Sequence, residues 1–302
     1  MAAIAYVTDE KMIEFHRFNG SHSIVFWRLS VKKFQDFKKG DLLFFLAKDR
    51  ETKQSKEKGL MGYGCLQDIQ VMSLNQMWKK YGNKTGYNTK KELLEVVERS
   101  NKSKELPKKI TCLLLDKVCF FQSPIYLSEL GYHINNNLES FTYLDRHEGK
   151  LTLDILQQVG KIGLDLWSSA LSENNEQTFF QQLIQYKLSV MLDSLDIKFT
   201  VDKKYRESVV NKFFGADSLW INSQQFCFLN GKELYIIFQT NHYQLRGNFY
   251  KLLGQLVTLN LHIKNNIEEK IKIIVLTNKK FSEQQADVLS EFDFDYIYCD
   301  GE

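Results

Sequence analysis

The stretch Gly59 to Tyr87, GLMGYGCLQDIQVMSLNQMWKKYGNKTGY, decides how the first half of the chain folds. It opens as an apolar run in which Gly62 and Gly64 flank Tyr63, and it continues into a segment whose apolar residues recur at helical spacing. A glycine inside a strand often marks a bulge or the close approach of another backbone or a ligand. The stretch therefore predicts a strand with such a feature, followed by a helix.

Further strands and helices are predicted on both sides of this stretch. Short apolar runs rich in β-branched and aromatic residues favour strands, here at Ser23–Arg28, Leu42–Ala47, Leu60–Asp68 and, with a bend near Asp116, Ile110–Phe121. Helical spacing behind an N-cap residue predicts helices at Ser73–Tyr81 and Thr89–Arg99, the second with a capping box between Thr89 and Glu92. A helix at Leu151–Leu171 leads out of this mostly β domain, residues 1–165, which we predict to be a small, partly open barrel.

Residues 166–302 predict a second domain in which helices and strands alternate. The predicted order, α-β-β-β-α-β-α-β, favours a central mixed sheet covered by helices. The helices are predicted at Asn175–Leu195, Asn248–Leu261 and Ser282–Phe292, and the strands at Lys198–Val201, Ser218–Ile221, Leu234–Gln239, Lys272–Thr277 and Tyr296–Cys299. The predicted fold class is therefore α+β, with a β-rich first domain and an α/β mixed-sheet second domain.

The composition excludes several classes of protein. With 43% hydrophobic and 25% charged residues in 302, the chain can bury full cores, and two domains are expected. No apolar run reaches the roughly 18 to 20 residues that span a bilayer, and the first residues lack the pattern of a signal peptide. The five cysteines are scattered, odd in number and without a CxxC pair, so we expect a reduced, cytoplasmic protein without membrane contact or structural zinc.

The positive charge is concentrated in one segment. The formal net charge is +3, and Lys79 to Lys109 alone holds ten basic and four acidic residues. A basic segment beside aromatic residues is a candidate surface for phosphate backbones. A solvated, lysine-rich helix and loop would have the same composition, so charge alone leaves both interpretations open.

The first domain resembles the PUA-like family that includes EVE and ASCH domains, and in particular the versions fused to restriction endonucleases, often of the HNH type. The resemblance covers about residues 20–125 and is carried by the order and spacing of FWRLS, KKGDLLFFLA, LMGYGCL, MWKKYGNKTGY and ITCLLLDKVCFF. This chain departs from the family in one turn, where Asn83 to Gly86, NKTG, replaces the usual Asn-Gly.

The resemblance implies DNA binding, with a flipped, modified base in an aromatic pocket as one form of it. A base out of the stack needs flat aromatic faces and hydrogen-bonding groups for its edge, and the backbone needs cations. The candidates are Trp27, Tyr63, Trp78 and Tyr81 for the faces, Asn19, Ser21, His22 and Ser23 for the edge, and Arg28, Lys79, Lys80 and Lys84 for the phosphates. Aromatic residues at strand and helix spacing are more often core residues, and the lysines could equally form a plain solvated surface.

The second domain resembles the PD-(D/E)XK nuclease fold of restriction enzymes in the order of its elements. On this resemblance Asp217 matches the metal-binding Asp, Glu173 or Glu176 matches an acid on the first helix, and the (D/E)-x-Lys position falls on Gln239 to Asn241, QTN. Neutral Gln239 and Asn241 should weaken both Mg²⁺ binding and the activation of water, because Mg²⁺ prefers carboxylates. We therefore expect this domain to be inactive or impaired, although Asp217 could also be an ordinary turn acid beside Gly215.

These observations predict a DNA-binding protein of a restriction or phage-defence system, with a protein partner or a second copy as further options. Two alternatives stay open. One is an active Mg²⁺-dependent restriction endonuclease that uses Glu176, Asp217 and Gln239. The other is an RNA-binding PUA-like module whose second domain mediates assembly. No cofactor is expected beyond Mg²⁺, and Mg²⁺ only if the nuclease site works.

Overall fold

A computed structural model of the chain shows two compact units, residues 2–183 and 184–302, each with its own sheet. The residues described are 2–48, 57–101, 106–135, 137–145, 150–171, 175–195, 201–213, 220–222, 227–230, 232–239 and 245–299. The sequence-based boundary between residues 165 and 166 lies earlier in the chain, before two helices. The mixed α+β content that the sequence predicts is present in the structure.

The first unit is built on a six-stranded sheet. Its strands are β1 (Ala3–Val7), β2 (Ile24–Arg28), β3 (Leu42–Lys48), β4 (Lys58–Met72), β5 (Ile110–Ile125) and β6 (Phe141–Tyr143). They are arranged in the order β2-β5-β4-β3-β1-β6, with β1 parallel to β3 and the other described pairs antiparallel. Strands β2 to β5 fall where the sequence predicts them, whereas β1 was not predicted.

This sheet curls until strands that are not hydrogen-bonded to each other meet. Tyr6 of β1 packs edge-on against Phe26 of β2 with ring centroids 4.8 Å apart, although three other strands separate β1 from β2 in the sheet. On its other side Tyr6 stacks on Phe141 of β6 at 5.6 Å. The two edge strands are thereby brought to the same aromatic cluster, which is the geometry of a partly open barrel.

The glycines of β4 explain how this strand packs. A Cβ atom on Gly62 would lie 2.4 Å from the carbonyl oxygen of Cys119 on β5, and the register between the two strands shifts beside Gly62. Both the bulge and the close backbone approach predicted from the glycines are therefore confirmed. The predicted bend in β5 is confirmed as well, because Lys117, next to Asp116, has a φ of 49°.

Among the described residues, six helices accompany the first sheet or lead out of it. They are α1 (Glu10–Phe18), α2 (Leu74–Tyr81), α3 (Lys90–Ser100), α4 (Leu151–Ile162), α5 (Leu166–Ala170) and α6 (Asn175–Ser194), and the division between the two units falls within α6. Helix α1 was not predicted. The predicted single helix over Leu151–Leu171 is wrong, because the backbone at Gly163 has a φ of +87° and Asp165 then caps α5 as a new helix.

The N-termini of α2 and α3 are capped by the residues that the sequence indicates. Ser73 forms a complete capping box with Gln76. Thr89 accepts a hydrogen bond from the backbone N–H of Glu92 at 3.2 Å, as predicted. The Glu92 carboxylate, however, accepts from the backbone N–H of Asn88 at 3.1 Å, so the second half of the predicted box is displaced by one residue.

The second unit contains a mixed five-stranded sheet, which confirms the sheet type predicted for it. Its strands are β7 (Trp220–Asn222), β8 (Cys227–Asn230), β9 (Glu233–Phe238), β10 (Lys272–Thr277) and β11 (Phe294–Tyr298), in the order β11-β10-β9-β8-β7. Strands β7 to β9 pair antiparallel and β9 to β11 pair parallel. The helices α7 (Lys203–Phe213), α8 (Leu245–Asn266) and α9 (Glu283–Glu291) complete the unit.

Two elements of this unit, α7 and β8, were not predicted. The strand predicted at Lys198–Val201 lies almost wholly outside the described residues. Over the part of the chain that the structure describes, no helix combines the length and the apolar character needed to cross a bilayer.

The close approach at Gly62 gives a stability prediction. We expect Gly62→Ala to lower the free energy of unfolding by about 2 kcal/mol or more, because the new methyl group meets a backbone carbonyl that cannot rotate away. Gly160 lies in α4 with its nearest neighbour, a Phe179 ring carbon, at 4.0 Å. Gly160→Ala should therefore stabilise the protein by up to about 1 kcal/mol. Urea unfolding followed by tryptophan fluorescence measures both, and equal stability of the two variants would contradict the packing described here.

Candidate functional site

A cleft of the first unit lies where the curled sheet brings β1 and β2 together. Its volume is about 670 Å³, and residues from β1, the start of α1, the end of β2, the end of α3 and the segment before β6 line it. Five of these residues carry charges, namely Asp9, Lys11, Arg28, Arg99 and Glu139. Hydroxyl groups come from Tyr6, Thr8, Ser30, Ser100 and Ser140. The cleft therefore offers hydrogen-bond donors and acceptors beside aromatic rings.

Trp27 connects this cleft to a chain of aromatic and polar contacts. It is half-buried, and its ring lies 6.5 Å from that of Tyr87. Tyr87 donates a hydrogen bond from its hydroxyl to Asp9 Oδ2 at 2.9 Å, and this bond helps to fix the position of the Asp9 carboxylate. The indole Nε1–H of Trp27 is buried and has no hydrogen-bond partner among the described residues. An unpaired buried donor costs about 1 to 3 kcal/mol.

Arg28 is the buried cation of the site. Only 6% of its surface is exposed, and its guanidinium lies over the ring of Phe34 at 3.9 Å while it donates to the carbonyl oxygen of Lys32. Burial lowers the pKa of Arg28, and the neighbouring Tyr6 opposes that shift. Burial also raises the pKa of Tyr6, against the opposing effect of Arg28. The Nε–H of Arg28 has no hydrogen-bond partner among the described residues.

A second cleft of about 540 Å³ adjoins the first and shares Arg28 and Ser30 with it. Its other cations are Lys32 and Lys33, and its aromatic rings are Phe34, Phe141 and Tyr143. Among the described residues that line it, none is acidic. We call the two spaces the acidic-rim cleft, lined by Asp9 and Glu139 among others, and the lysine cleft, lined by Lys32 and Lys33.

Of the residues predicted to contact a base or a phosphate, Trp27 and Arg28 line the acidic-rim cleft. Tyr63 does not reach any surface, since its exposure is 0% and its ring packs against Phe44 and Phe121. In this structure Tyr63 is a core residue, which is the second of the two roles that the sequence allowed.

The predicted edge-contacting residues lie in the turn before β2, at the end remote from Arg28. Asn19 ends α1, and its side-chain amide donates to the carbonyl oxygen of Phe15 at 2.7 Å. Ser21 and His22 follow, and their backbones bond to His16 and Val118. Neither cleft is lined by Asn19, Ser21, His22 or Ser23.

The candidates on α2 and in the turn after it form a separate surface. The hydroxyl of Tyr81 and the ammonium group of Lys80 both donate to Gln70 Oε1 of β4, at 2.8 and 3.0 Å. Trp78 is half-buried against the core, and Lys79 and Lys84 are exposed. Neither cleft is lined by any residue of this set.

The nuclease-like candidates are described only in part. Glu176 is exposed in the first turn of α6. Gln239 follows β9, and its side-chain carbonyl oxygen accepts a hydrogen bond from the backbone N–H of Asp202 at 2.5 Å. Asp217 and Asn241 lie outside the described residues, as does Glu173. Within the described ranges, no group of three or more His, Cys, Asp or Glu side chains could hold a metal ion.

Sequence reasoning missed most of the residues that line the acidic-rim cleft. Tyr6, Thr8, Asp9 and Lys11 come from β1 and α1, which were not predicted, and Arg99 was assigned only to a helix end. One signal was present in the sequence: Asp9 is a suitable N-cap for a helix with Met12, Ile13 and His16 on its inner face.

The comparisons with known proteins concern about half of the chain. The solved structure of the ASCH protein from Zymomonas mobilis matches with a TM-score of 0.36 and 15% identity, covering 51% of this chain and 94% of that chain. Two mutant forms of that protein match with TM-scores of 0.37 and 0.36 and identities of 14% and 15%, covering 51% of this chain and 97% and 95% of theirs. No protein-family model and no curated protein match the sequence.

His16 gives a pH prediction for the helix beside the cleft. It is 1% exposed, neither ring nitrogen has a hydrogen-bond partner among the described residues, and burial lowers its pKa to about 4. An unfolded histidine has a pKa of about 6.5, so between pH 6.5 and 4 the unfolded state binds more protons and acid favours unfolding. We expect this group to remove up to about 3 kcal/mol of stability over that range.

The measurement is the urea midpoint of the wild type and of His16→Leu at pH 7, 5.5 and 4. The variant should lose less stability on acidification than the wild type, because it has no imidazole to protonate. His133 is exposed, so His133→Gln should keep the wild-type pH dependence. Parallel pH profiles of the wild type and His16→Leu would show that His16 does not carry the effect.

Proposed function

We propose that the first unit binds DNA, with an unpaired or flipped base in the acidic-rim cleft and the backbone along the lysine cleft. The observation that carries this proposal is the pair of adjoining clefts joined by buried Arg28, with the ring of Trp27 and several cations among their lining residues.

The size and lining of the acidic-rim cleft suit a base. Its volume of about 670 Å³ lies within the range of small-molecule sites. An extruded base is read by hydrogen bonds to its edge and by stacking on aromatic or apolar side chains. Phe26 and Trp27 supply apolar surface, and Asp9 and Thr8 supply oxygen atoms that can accept from an exocyclic amino group.

The charges around the clefts suit the phosphates. Lys11, Arg28 and Arg99 line the first cleft, and Lys32 and Lys33 line the second. None of Lys11, Lys32 and Lys33 takes part in an ion pair among the described residues. Their charges are therefore available to a phosphate backbone, which supplies most of the sequence-independent affinity for nucleic acid.

The proposal extends to a restriction or phage-defence role in which the base recognised is modified DNA. It is supported by the resemblance of the first domain to EVE and ASCH domains fused to restriction endonucleases. For the second unit we propose a nuclease-like scaffold without cleavage activity. Helix α6, the antiparallel strands β7–β9, helix α8 and the parallel strand β10 follow one another in the order on which that resemblance rests, with α7 as an additional helix between α6 and β7. Gln239 is neutral, and its side-chain oxygen already accepts a hydrogen bond from the backbone N–H of Asp202.

DNA binding is tested by gel shift with plain DNA, modified DNA and RNA of the same sequence. We expect Trp27→Ala to weaken DNA binding at least about 10-fold, since stacking of a base on an aromatic ring is worth about 1 to 3 kcal/mol. Trp167→Ala is the matched control, because Trp167 is 58% exposed on α5 and lines neither cleft. Equal affinity of wild type and Trp27→Ala would contradict the base pocket, and tighter binding of RNA would favour the RNA-binding alternative.

The inactivity of the second unit is tested by incubating the protein with plasmid DNA, modified and unmodified, and Mg²⁺. We expect the plasmid to stay uncut, since the neutral Gln239 and Asn241 should support neither a metal ion nor an activated water. Cleavage that Asp217→Ala abolishes would instead establish an active Mg²⁺-dependent endonuclease. Cleavage that persists in Asp217→Ala would point to a contaminating nuclease.

A further inference from the structure

We infer that the two clefts hold two consecutive nucleotides of one unpaired strand, with the linking phosphate at Arg28. This inference rests on the proposed function, and it narrows the ligand from nucleic acid in general to a segment with at least two nucleotides out of the duplex. Arg28 and Ser30 line both clefts, so the spaces are neighbours on one wall.

Two bases in these clefts could not remain stacked on each other. In a duplex, neighbouring bases along one strand are about 3.4 Å apart and in face-to-face contact. Here the side chain of Arg28 forms part of the wall of both spaces, and it is fixed by the ring of Phe34 at 3.9 Å and by the carbonyl oxygen of Lys32. A strand that occupies both clefts must therefore splay its two bases to either side of this fixed side chain.

The chemistry of the two clefts differs in the way that such a strand requires. The lysine cleft combines the rings of Phe34, Phe141 and Tyr143 with Lys32 and Lys33, and its described lining has no carboxylate. Rings that can stack on a base beside cations that can meet its phosphate are the usual composition of single-strand binding surfaces. The acidic-rim cleft contains cations as well, but it adds the carboxylates of Asp9 and Glu139, which suit the donor edge of a base.

Among the described residues, Arg28 is the cation common to both clefts, where the linking phosphate would pass. The Arg28 side chain lines both clefts but is only 6% exposed. Its Nε–H is buried and has no hydrogen-bond partner among the described residues. A phosphate oxygen is a strong acceptor for arginine N–H groups, and charge-assisted bonds of this kind are about twice as strong as neutral ones. A phosphodiester between the two bases would therefore meet the cation that lines both clefts.

The test measures the affinity of the full chain for 20-base-pair DNA duplexes by fluorescence anisotropy, with no bulge, a one-nucleotide bulge or a two-nucleotide bulge. We expect the two-nucleotide bulge to bind at least about 5-fold tighter than the one-nucleotide bulge, at equal salt, because only it fills both clefts. The double variant Lys32→Ala, Lys33→Ala should remove this difference while still preferring a bulged to an unbulged duplex.

The control is Lys203→Ala, Lys204→Ala, which makes the same change in charge on the exposed start of α7 and should keep the 5-fold difference. Equal affinity for the one- and two-nucleotide bulges would overturn this inference and leave the single-base proposal standing. No binding to any of the three duplexes, or to the corresponding single strands of DNA and RNA, would overturn the proposed function itself. Circular dichroism of each variant establishes that it is folded.

Discussion

The burial of the Arg28 guanidinium is the constraint on which the candidate site depends. A charge taken out of water costs several kcal/mol unless the surrounding groups replace its hydration. Three groups from two parts of the chain do so here: Tyr6 of β1, and the carbonyl oxygen of Lys32 and the ring of Phe34 in the loop after β2. Because these groups must stay in place to compensate the charge, Arg28 also fixes the loop after β2.

The curled sheet makes this arrangement possible. Tyr6 can lie beside both Phe26 and Arg28 only because β1 and β2 approach each other across the interior of the barrel. That curl in turn requires the long strand β4 to bend, and the close approach of Cys119 to Gly62 occurs at one of its register shifts. A bulge increases the local twist and bends a strand. Gly62 of the inner strand β4 thus helps to bring together residues that line the clefts near the two edge strands.

Several elements could be predicted from the sequence because short stretches of it carry their signals, whereas other elements were missed. Strands β2 to β5 and the caps Ser73 and Thr89 could be predicted, because apolar runs and capping residues are short-range signals. Strand β1, which lies between β3 and β6 and has four buried residues in succession, was missed although it is a short apolar run of the kind that predicted β3. Helix α1, which follows β1, was not predicted either, and the cleft residues of both elements were therefore missed.

The same limit applies to the roles of single side chains. Arg28 ends a strand whose pattern, SIVFWR, does not show that Tyr6 and Phe34 will enclose the guanidinium. Tyr63 lies between two glycines, which are consistent with the close approach of either a ligand or another backbone, and in the structure it is the neighbouring strand that approaches while the ring of Tyr63 is buried in the core. Sequence identifies which residues could bind a base or a phosphate, but only the packing determines which of them reach a cleft.

Gln239 in the second unit is a neutral residue at a position where the nuclease resemblance expects an acid. Its structural role explains this choice of residue only in part. Its side-chain oxygen accepts a hydrogen bond from the backbone N–H of Asp202. The carboxylate of Asp202 in turn accepts hydrogen bonds from the backbone N–H groups of Lys204 and Tyr205 at the start of α7. A carboxylate at position 239 could accept the same bond and would gain from the positive end of the helix dipole. The hydrogen bond therefore explains why an acceptor is useful at this position, but it does not require the acceptor to be uncharged.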